Sequence, residues 1–254
     1  MKSWKKRVAW LLIAGLLIVV LAFFLYSLAV IYNAREYTTS TVLSDFNSSR
    51  WRPFQGKAVD FEVQKGDIPD HFIRLLLKVE DPGFYSHNGI DLSTPGAGLT
   101  TITQAIVKKL YFNKFKSGFM KLKQSLIAVF VVDKMISKDD QITLFLNSMY
   151  FGTVDGNPQV GLQSAARSYF QKDAGDLSKD EFISLIATIV SPDTFNPRDH
   201  PAWNKLRSDR IRKLDSGEYS PKGLMDQYYG KLPQEIIDSG LPMCSYFPGL
   251  YKDE

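Results

Sequence analysis

The chain has 254 residues, 44% hydrophobic and 23% charged, with a formal net charge of +4. That composition excludes a mainly disordered chain. The mildly basic balance suits anionic lipid or a phosphate-bearing substrate without identifying either, and gives no support to nucleic-acid binding. The single cysteine, Cys244, excludes an internal disulfide and reads as a minor structural residue near the C-terminus. The histidines, His71, His87 and His200, have no zinc spacing.

Residues 1–7 carry Lys2, Lys5, Lys6 and Arg7, followed by an uncharged apolar run from Val8 to Ile31. A helix over that run spans roughly 36 Å, enough for a hydrocarbon core. The preceding positive charges place residues 1–7 in the cytoplasm and export the chain beyond the apolar run. A cleaved signal peptide has a shorter apolar core and a small-residue cleavage site. This run ends in Val30, Ile31 and Tyr32, so 8–32 reads as an uncleaved signal anchor. For a bacterial source the exported part is periplasmic or otherwise extracytoplasmic.

Residues 33–60 are polar and mixed and read as a stalk that becomes ordered near the domain. The main domain is expected over 61–218 and a C-terminal extension over 219–254. A helix opens after Ile68-Pro69 and runs through Phe72, Leu75, Leu76 and Val79 to Glu80, where Asp81-Pro82-Gly83 ends it. Glu80 therefore sits at a helix C-terminus, where the macrodipole does not favour a carboxylate. Further helices are expected over Thr101–Tyr111 and over Lys121–Met135, the latter with Leu122, Leu126, Val129 and Phe130 on one face. Ser137 and Ser178 each open a capped helix. Pro201 begins another that passes Trp203, Leu206, Arg210 and Leu214. Strand signals are few, and one small hairpin at most is expected. Lys114 to Lys121 interleaves basic and apolar residues as a membrane-interface segment does.

The chemistry-bearing residues fall in order along this frame. Glu80-Asp81-x-x-Phe84-x-x-His87-x-Gly89-x-Asp91 comes first, then Gly98-Leu99-Thr100-Thr101-Ile102-Thr103-Gln104 with Lys108 beyond. Met120-Lys121-Leu122-Lys123-Gln124, Leu146-Asn147-x-x-Tyr150-Phe151-Gly152, Ala165 to Phe170, and Asn196-Pro197-x-x-His200-Pro201 follow. The set resembles the motifs of the peptidoglycan glycosyltransferases, family 51: the monofunctional polymerases and the glycosyltransferase domains of class A penicillin-binding proteins. An acidic pair alone would carry no such weight.

The resemblance implies a mainly α, lysozyme-like domain with a small second lobe, preceded by one transmembrane helix. It implies polymerisation of a lipid-linked disaccharide (lipid II) into a growing glycan strand, with inversion and release of polyprenyl pyrophosphate. Glu80 is the implied catalytic base, with Asp81 orienting it or the acceptor. The implied substrate and pyrophosphate contacts are His87, Thr100, Thr103, Gln104, Lys108, Lys121, Lys123 and Gln124. For His87 a plain structural role in holding its loop is the favoured reading of the residue itself. A divalent cation, Mg or Mn, accompanying the pyrophosphate is implied, with no organic cofactor. Membrane lipids and a transpeptidase or other cell-wall synthesis protein are the implied partners.

Three departures stand out. Gln124 replaces the third-motif glutamate, Met120 replaces its arginine, and only Leu92 to Ala97 separates the first two motifs. A second reading is therefore a catalytically impaired member that binds lipid-linked substrate or partners as a regulator or scaffold. A third, a glycan-cleaving enzyme of the lysozyme type, shares the single key glutamate but not the motif order. A bifunctional penicillin-binding protein is expected to need a longer chain.

Overall fold

The computed structural model describes residues 2–116 and 118–239. Cys244 and residues 240–254 of the extension lie outside the described residues, as does Ser117 of the interface segment.

Helix α1 (Lys2–Tyr37) passes through a π turn at Thr38–Val42 into α2 (Leu43–Asn47). It is long and apolar enough to cross a membrane, and its apolar residues from Trp10 to Phe24 turn outward, away from the rest of the chain. Beyond them the helix changes character. Val30, Ala34, Thr38 and Val42, spaced by four residues, form one buried stripe against the domain. The Thr38 hydroxyl lies 2.7 Å from that of Tyr111, and the Tyr26 ring lies 5.0 Å from that of Phe119.

The segment expected as a stalk, 33–60, is ordered along its length. It continues the helix and then forms strand β1 (Arg50–Trp51), paired antiparallel with β2 (Val59–Asp60). Arg52 pairs through both guanidinium arms with the buried Asp45 carboxylate, and Trp51 is buried.

Helix α3 (Asp70–Glu80) and α4 (Ile102–Tyr111) follow. Next comes a helical run made of α5 (Phe119–Ile127), a π turn at Ala128–Val132, and α6 (Asp133–Met135). Its core face is Gln124, Ile127, Ala128, Val131 and Val132, not the expected set. Leu122, Leu126 and Val129 are only partly buried, and Phe130 is exposed. A π turn adds a residue to the helical repeat and so shifts the buried face. The Phe130 carbonyl accepts a bond from Arg35 of α1.

Helix α7 (Lys138–Ser148) leads into the hairpin β3 (Tyr150–Val154) and β4 (Asn157–Val160). There are accordingly two small antiparallel pairs among the described residues rather than one. The first is only two residues per strand, too short to show alternation. Helices α8 (Leu162–Phe170), α9 (Lys179–Ile189) and α10 (Pro201–Ser216) complete the core, and α11 (Gln234–Asp238) lies in the extension. Ser178 and Glu181 form a reciprocal capping box at α9, and Ser137 accepts the Asp140 N–H at α7. Each such cap is worth about 1 kcal/mol. The core centres on Phe72 stacked on Phe182, with ring centroids 4.5 Å apart, and on Leu76, Ile106, Ile142 and Leu185. The domain is mainly helical and lysozyme-like.

A second, smaller cluster of Phe195, Tyr228, Leu232 and Ile236 joins the start of α10 to the extension. Residues 219–230 are organised around the buried Asp226, whose carboxylate accepts from the Tyr219 hydroxyl and from the Lys222 and Gly230 N–H groups. Arg210 donates to the carbonyls of Tyr228, Gly230 and Lys231.

Candidate active site

Glu80 is the last residue of α3. The chain turns sharply after it, so the Glu80 and Asp81 side chains diverge. Glu80 enters a cleft, whereas Asp81 turns into the protein. The buried Asp81 carboxylate accepts the Ile102 N–H at 2.8 Å and lies 2.9 Å from His87 Nε2. His87 Nδ1 accepts the Gly89 N–H. Gly89, with φ +89°, lies so close to the Ala128 carbonyl that a Cβ would sit 2.6 Å from its oxygen. Asp91 caps the next turn through the N–H groups of Ser93 and Thr94. Burial alone would raise its pKa, but these bonds and the two side-chain hydroxyls outweigh it and hold the carboxyl at about 2.

The cleft holds about 420 Å³. One wall is the α4 face carrying Thr101, Ala105, Lys108 and Lys109, which helical spacing places together, with Thr100 just before it. Phe145, Met149 and Tyr150 form another side, and Ile189, Val190 and Pro192 a third. Arg207 of α10 and Gln227 and Tyr228 of the extension close it. Burial pushes the Glu80 carboxyl up to about 7; the Arg207 charge opposes that and the Asp81 charge adds to it. Burial also lowers the Lys109 ammonium, with the like charge of Lys108 contributing.

Several predicted site residues do other work. Thr103 is fully buried and donates to Gln141 on α7. Gln104 is the second half of a capping box with Thr101, which explains its place in the sequence without a substrate. Asp81 and His87 hold the loop of the first motif to the start of α4 and do not line the cleft. Lys121 donates to the Leu99 carbonyl at 2.9 Å, the Thr100 hydroxyl at 3.1 Å and Gln104 Oε1 at 3.3 Å. Burial, with a smaller push from Lys108, lowers its ammonium to about 8. It braces the second-motif loop behind the cleft wall. Gln124 is buried and donates to the Gln104 carbonyl at 2.6 Å, leaving its own Oε1 without a partner among the described residues. Lys123 lies over the Phe112 ring and lines a separate crevice of about 200 Å³ between α1 and the domain. Met120 receives the Lys116 N–H on its sulfur. Of the expected contacts, Glu80, Thr100 and Lys108 share the cleft.

The sequence that builds this site is similar to known proteins. A family model described as Transglycosylase matches residues 51–214, more than half of the chain. The chain belongs to the transglycosylase family. Among similar proteins, penicillin-binding protein 1F of Bacillus subtilis is 33% identical over 175 residues, which are 63% of this chain and 24% of that protein. Penicillin-binding protein 1B of Escherichia coli is 29% identical over 165 residues, 60% of this chain and 19% of that protein. Penicillin-binding protein 2a of Streptococcus pneumoniae is 26% identical over 263 residues, 94% of this chain and 34% of that protein. The chain thus spans only about a quarter of the length of the curated relatives it matches.

Two cations of the cleft escaped the sequence reading. Lys109 was legible in principle, since it shares the Thr101–Ala105–Lys108 face. Arg207 was not, because nothing local separates it from Arg210 and Arg212. It is 1% exposed, donates to the Gln227 carbonyl, and lies over the Tyr229 ring at 4.8 Å and the Tyr228 ring at 5.6 Å. Its Nε has no partner among the described residues. Residues 219–239 lie beyond the family match, and Gln227 and Tyr228 among them still line the cleft. Gly98, at φ +69°, donates its N–H to the Leu224 carbonyl at 2.7 Å, and a Cβ there would collide with the Gln227 amide.

The described residues include no group of three or more His, Cys, Asp or Glu side chains able to hold a metal ion. The cleft sets one carboxylate among ammonium and guanidinium groups. This donor set does not fit a divalent cation held by the protein.

Proposed function

We propose that the chain polymerises lipid-linked disaccharide into peptidoglycan strands, with Glu80 as general base. The acceptor 4-hydroxyl gives its proton to the Glu80 carboxylate as its oxygen attacks the donor's anomeric carbon. The bond to polyprenyl pyrophosphate breaks on the opposite side, inverting the centre. A base of this kind contributes about 10²–10⁴-fold, most effectively when its pKa lies near the working pH. The carrying observation is Glu80 itself, raised to about 7 in a cleft that also presents Lys108, Lys109 and Arg207. The cations suit a leaving group that gathers negative charge. A Mg or Mn ion accompanying the substrate would be held by pyrophosphate oxygens, since the cleft lacks the carboxylates to bind it.

The apolar helix fits membrane anchoring. We place residues 1–7 in the cytoplasm and the domain outside a bacterial inner membrane, on the charge of those residues. A transpeptidase is the partner class this function calls for. The test is glycan polymer formed by the purified full-length chain from lipid-linked disaccharide. Polymer from wild type and its loss in Glu80→Gln, with unchanged melting at acid pH, is the expected result. Substrate binding without polymer would favour the regulator reading, which Gln124 supports, since it supplies no second carboxylate.

A further inference from the structure

Tyr229 of the extension reaches the helix that ends in Glu80. Tyr229 donates its hydroxyl to the Val79 carbonyl at 3.0 Å, immediately before Glu80 in the chain. Its ring forms the floor under the Arg207 guanidinium. Burial pushes the Tyr229 hydroxyl up to about 12, with Arg207 opposing and Glu80 adding, so all three sense one another's charge. The residue itself takes φ +54° and is followed by Gly230 at φ +114°. Such a backbone persists only where its surroundings over-determine it. Here Asp226 and Arg210 provide that constraint, since both bind the Tyr228–Lys231 backbone.

We propose that Tyr229 is a positioning residue for Glu80, its ring holding the Arg207 guanidinium where that charge faces the carboxyl group. The inference rests on the general-base role given to Glu80 above. A cation held over an aromatic face is attracted by the negative face of the ring, and more strongly where water is excluded. Without the ring, Arg207 keeps its bond to the Gln227 carbonyl but loses the surface that fixes its other end. Its Nε, with no partner among the described residues, offers no compensation. Among the described residues, the other charged or titratable groups by Glu80 are Asp81 at the C-cap of α3, Lys108 and Lys109 on α4, Tyr150 on β3 and Tyr228 in the extension, while Asp226 acts on Tyr229. Of the two rings that Arg207 lies over, that of Tyr229 is the nearer. The extension therefore completes the electrostatics of the cleft, although it lies outside the family match.

The experiment is a titration of the Glu80 carboxyl by 13C NMR in the detergent-solubilised full-length chain, the signal being assigned by its loss in Glu80→Gln. Tyr229→Leu is expected to raise the midpoint by about one pH unit, tenfold in proton affinity. Tyr229→Phe, which keeps the ring, should stay close to wild type. In an Arg207→Gln background Tyr229→Leu should add nothing, because the two act as one unit. An unchanged or lowered midpoint in folded Tyr229→Leu would overturn the proposal, as would an equal shift with and without Arg207. If Arg207→Gln does not fold, equal midpoints in the Leu and Phe variants overturn it. The titration needs no substrate. Absence of polymer from wild type would thus remove the enzymatic reading without deciding the role of Tyr229.

Discussion

The Asp81 carboxylate accepts the backbone N–H of Ile102 at 2.8 Å, joining the end of one helix to the start of another across 21 residues of chain. The same carboxylate holds His87. The acidic pair at the heart of the first motif therefore divides its labour, with Glu80 facing the cleft and Asp81 locking the loop that frames it.

Asp81→Ala removes the buried partner of the first N–H of α4 and of His87 Nε2. Losing a charged acceptor under these conditions costs about 2–3 kcal/mol. Chemical denaturation should show that loss, and Asp81→Asn, which keeps an acceptor, should lose less.

Glu80 makes stability depend on pH. Its folded pKa, about 7, lies above the ordinary 4.5, so the folded state holds the proton more tightly. Stability linked to this group is complete below about pH 4.5, falls as pH rises through 7, and is flat above. Glu80→Gln should therefore melt higher than wild type at pH 8, with the difference vanishing at pH 4. Polymerisation should run the other way, rising with pH through about 7 as the base ionises. A wild-type rate independent of pH between about 5.5 and 8 would contradict the assignment.

Restoring the family's third-motif acid should fail. Gln124 uses its amide N–H to bind the Gln104 carbonyl at 2.6 Å in a buried site. A glutamate there would set a carboxylate against that carbonyl, or take up a proton to avoid it. Gln124→Glu should lose about 2–3 kcal/mol in denaturation and should not increase polymer yield.

Gly98→Ala tests the contact between the second motif and the extension. The added methyl demands φ +69° of an alanine and collides with Gln227. A loss of about 1–3 kcal/mol is expected from the strained backbone, with faster proteolysis of residues 219–239. Gly66→Ala, which meets nothing within 4 Å, serves as the control.

Much was legible in the sequence because it depends on neighbours along the chain. The anchor, the helix ends at Glu80 and Pro201, the caps at Ser137 and Ser178, and the ordered motifs are all local patterns. The π turns at Thr38–Val42 and Ala128–Val132 were not legible, since nothing in composition marks the residue that shifts a helical face. The spacing Thr101-x-x-Gln104 also forms a capping box, a local role that the family motif does not announce.

What the sequence determined alone was the family, the mainly helical class, the apolar anchor and the place of Glu80 at a helix end. These come from periodicity, punctuation and motif order. The tertiary structure decided which side chains share a volume with Glu80. It turned Asp81, Thr103 and Gln104 inward as supports and brought Lys109 and the unmarked Arg207 into the cleft. It also folded an extension without any motif against them. The physical reason is that the proton affinity of a buried carboxyl depends on the charges and water around it in space. Those neighbours come from segments as far apart in the chain as Val79 and Tyr229.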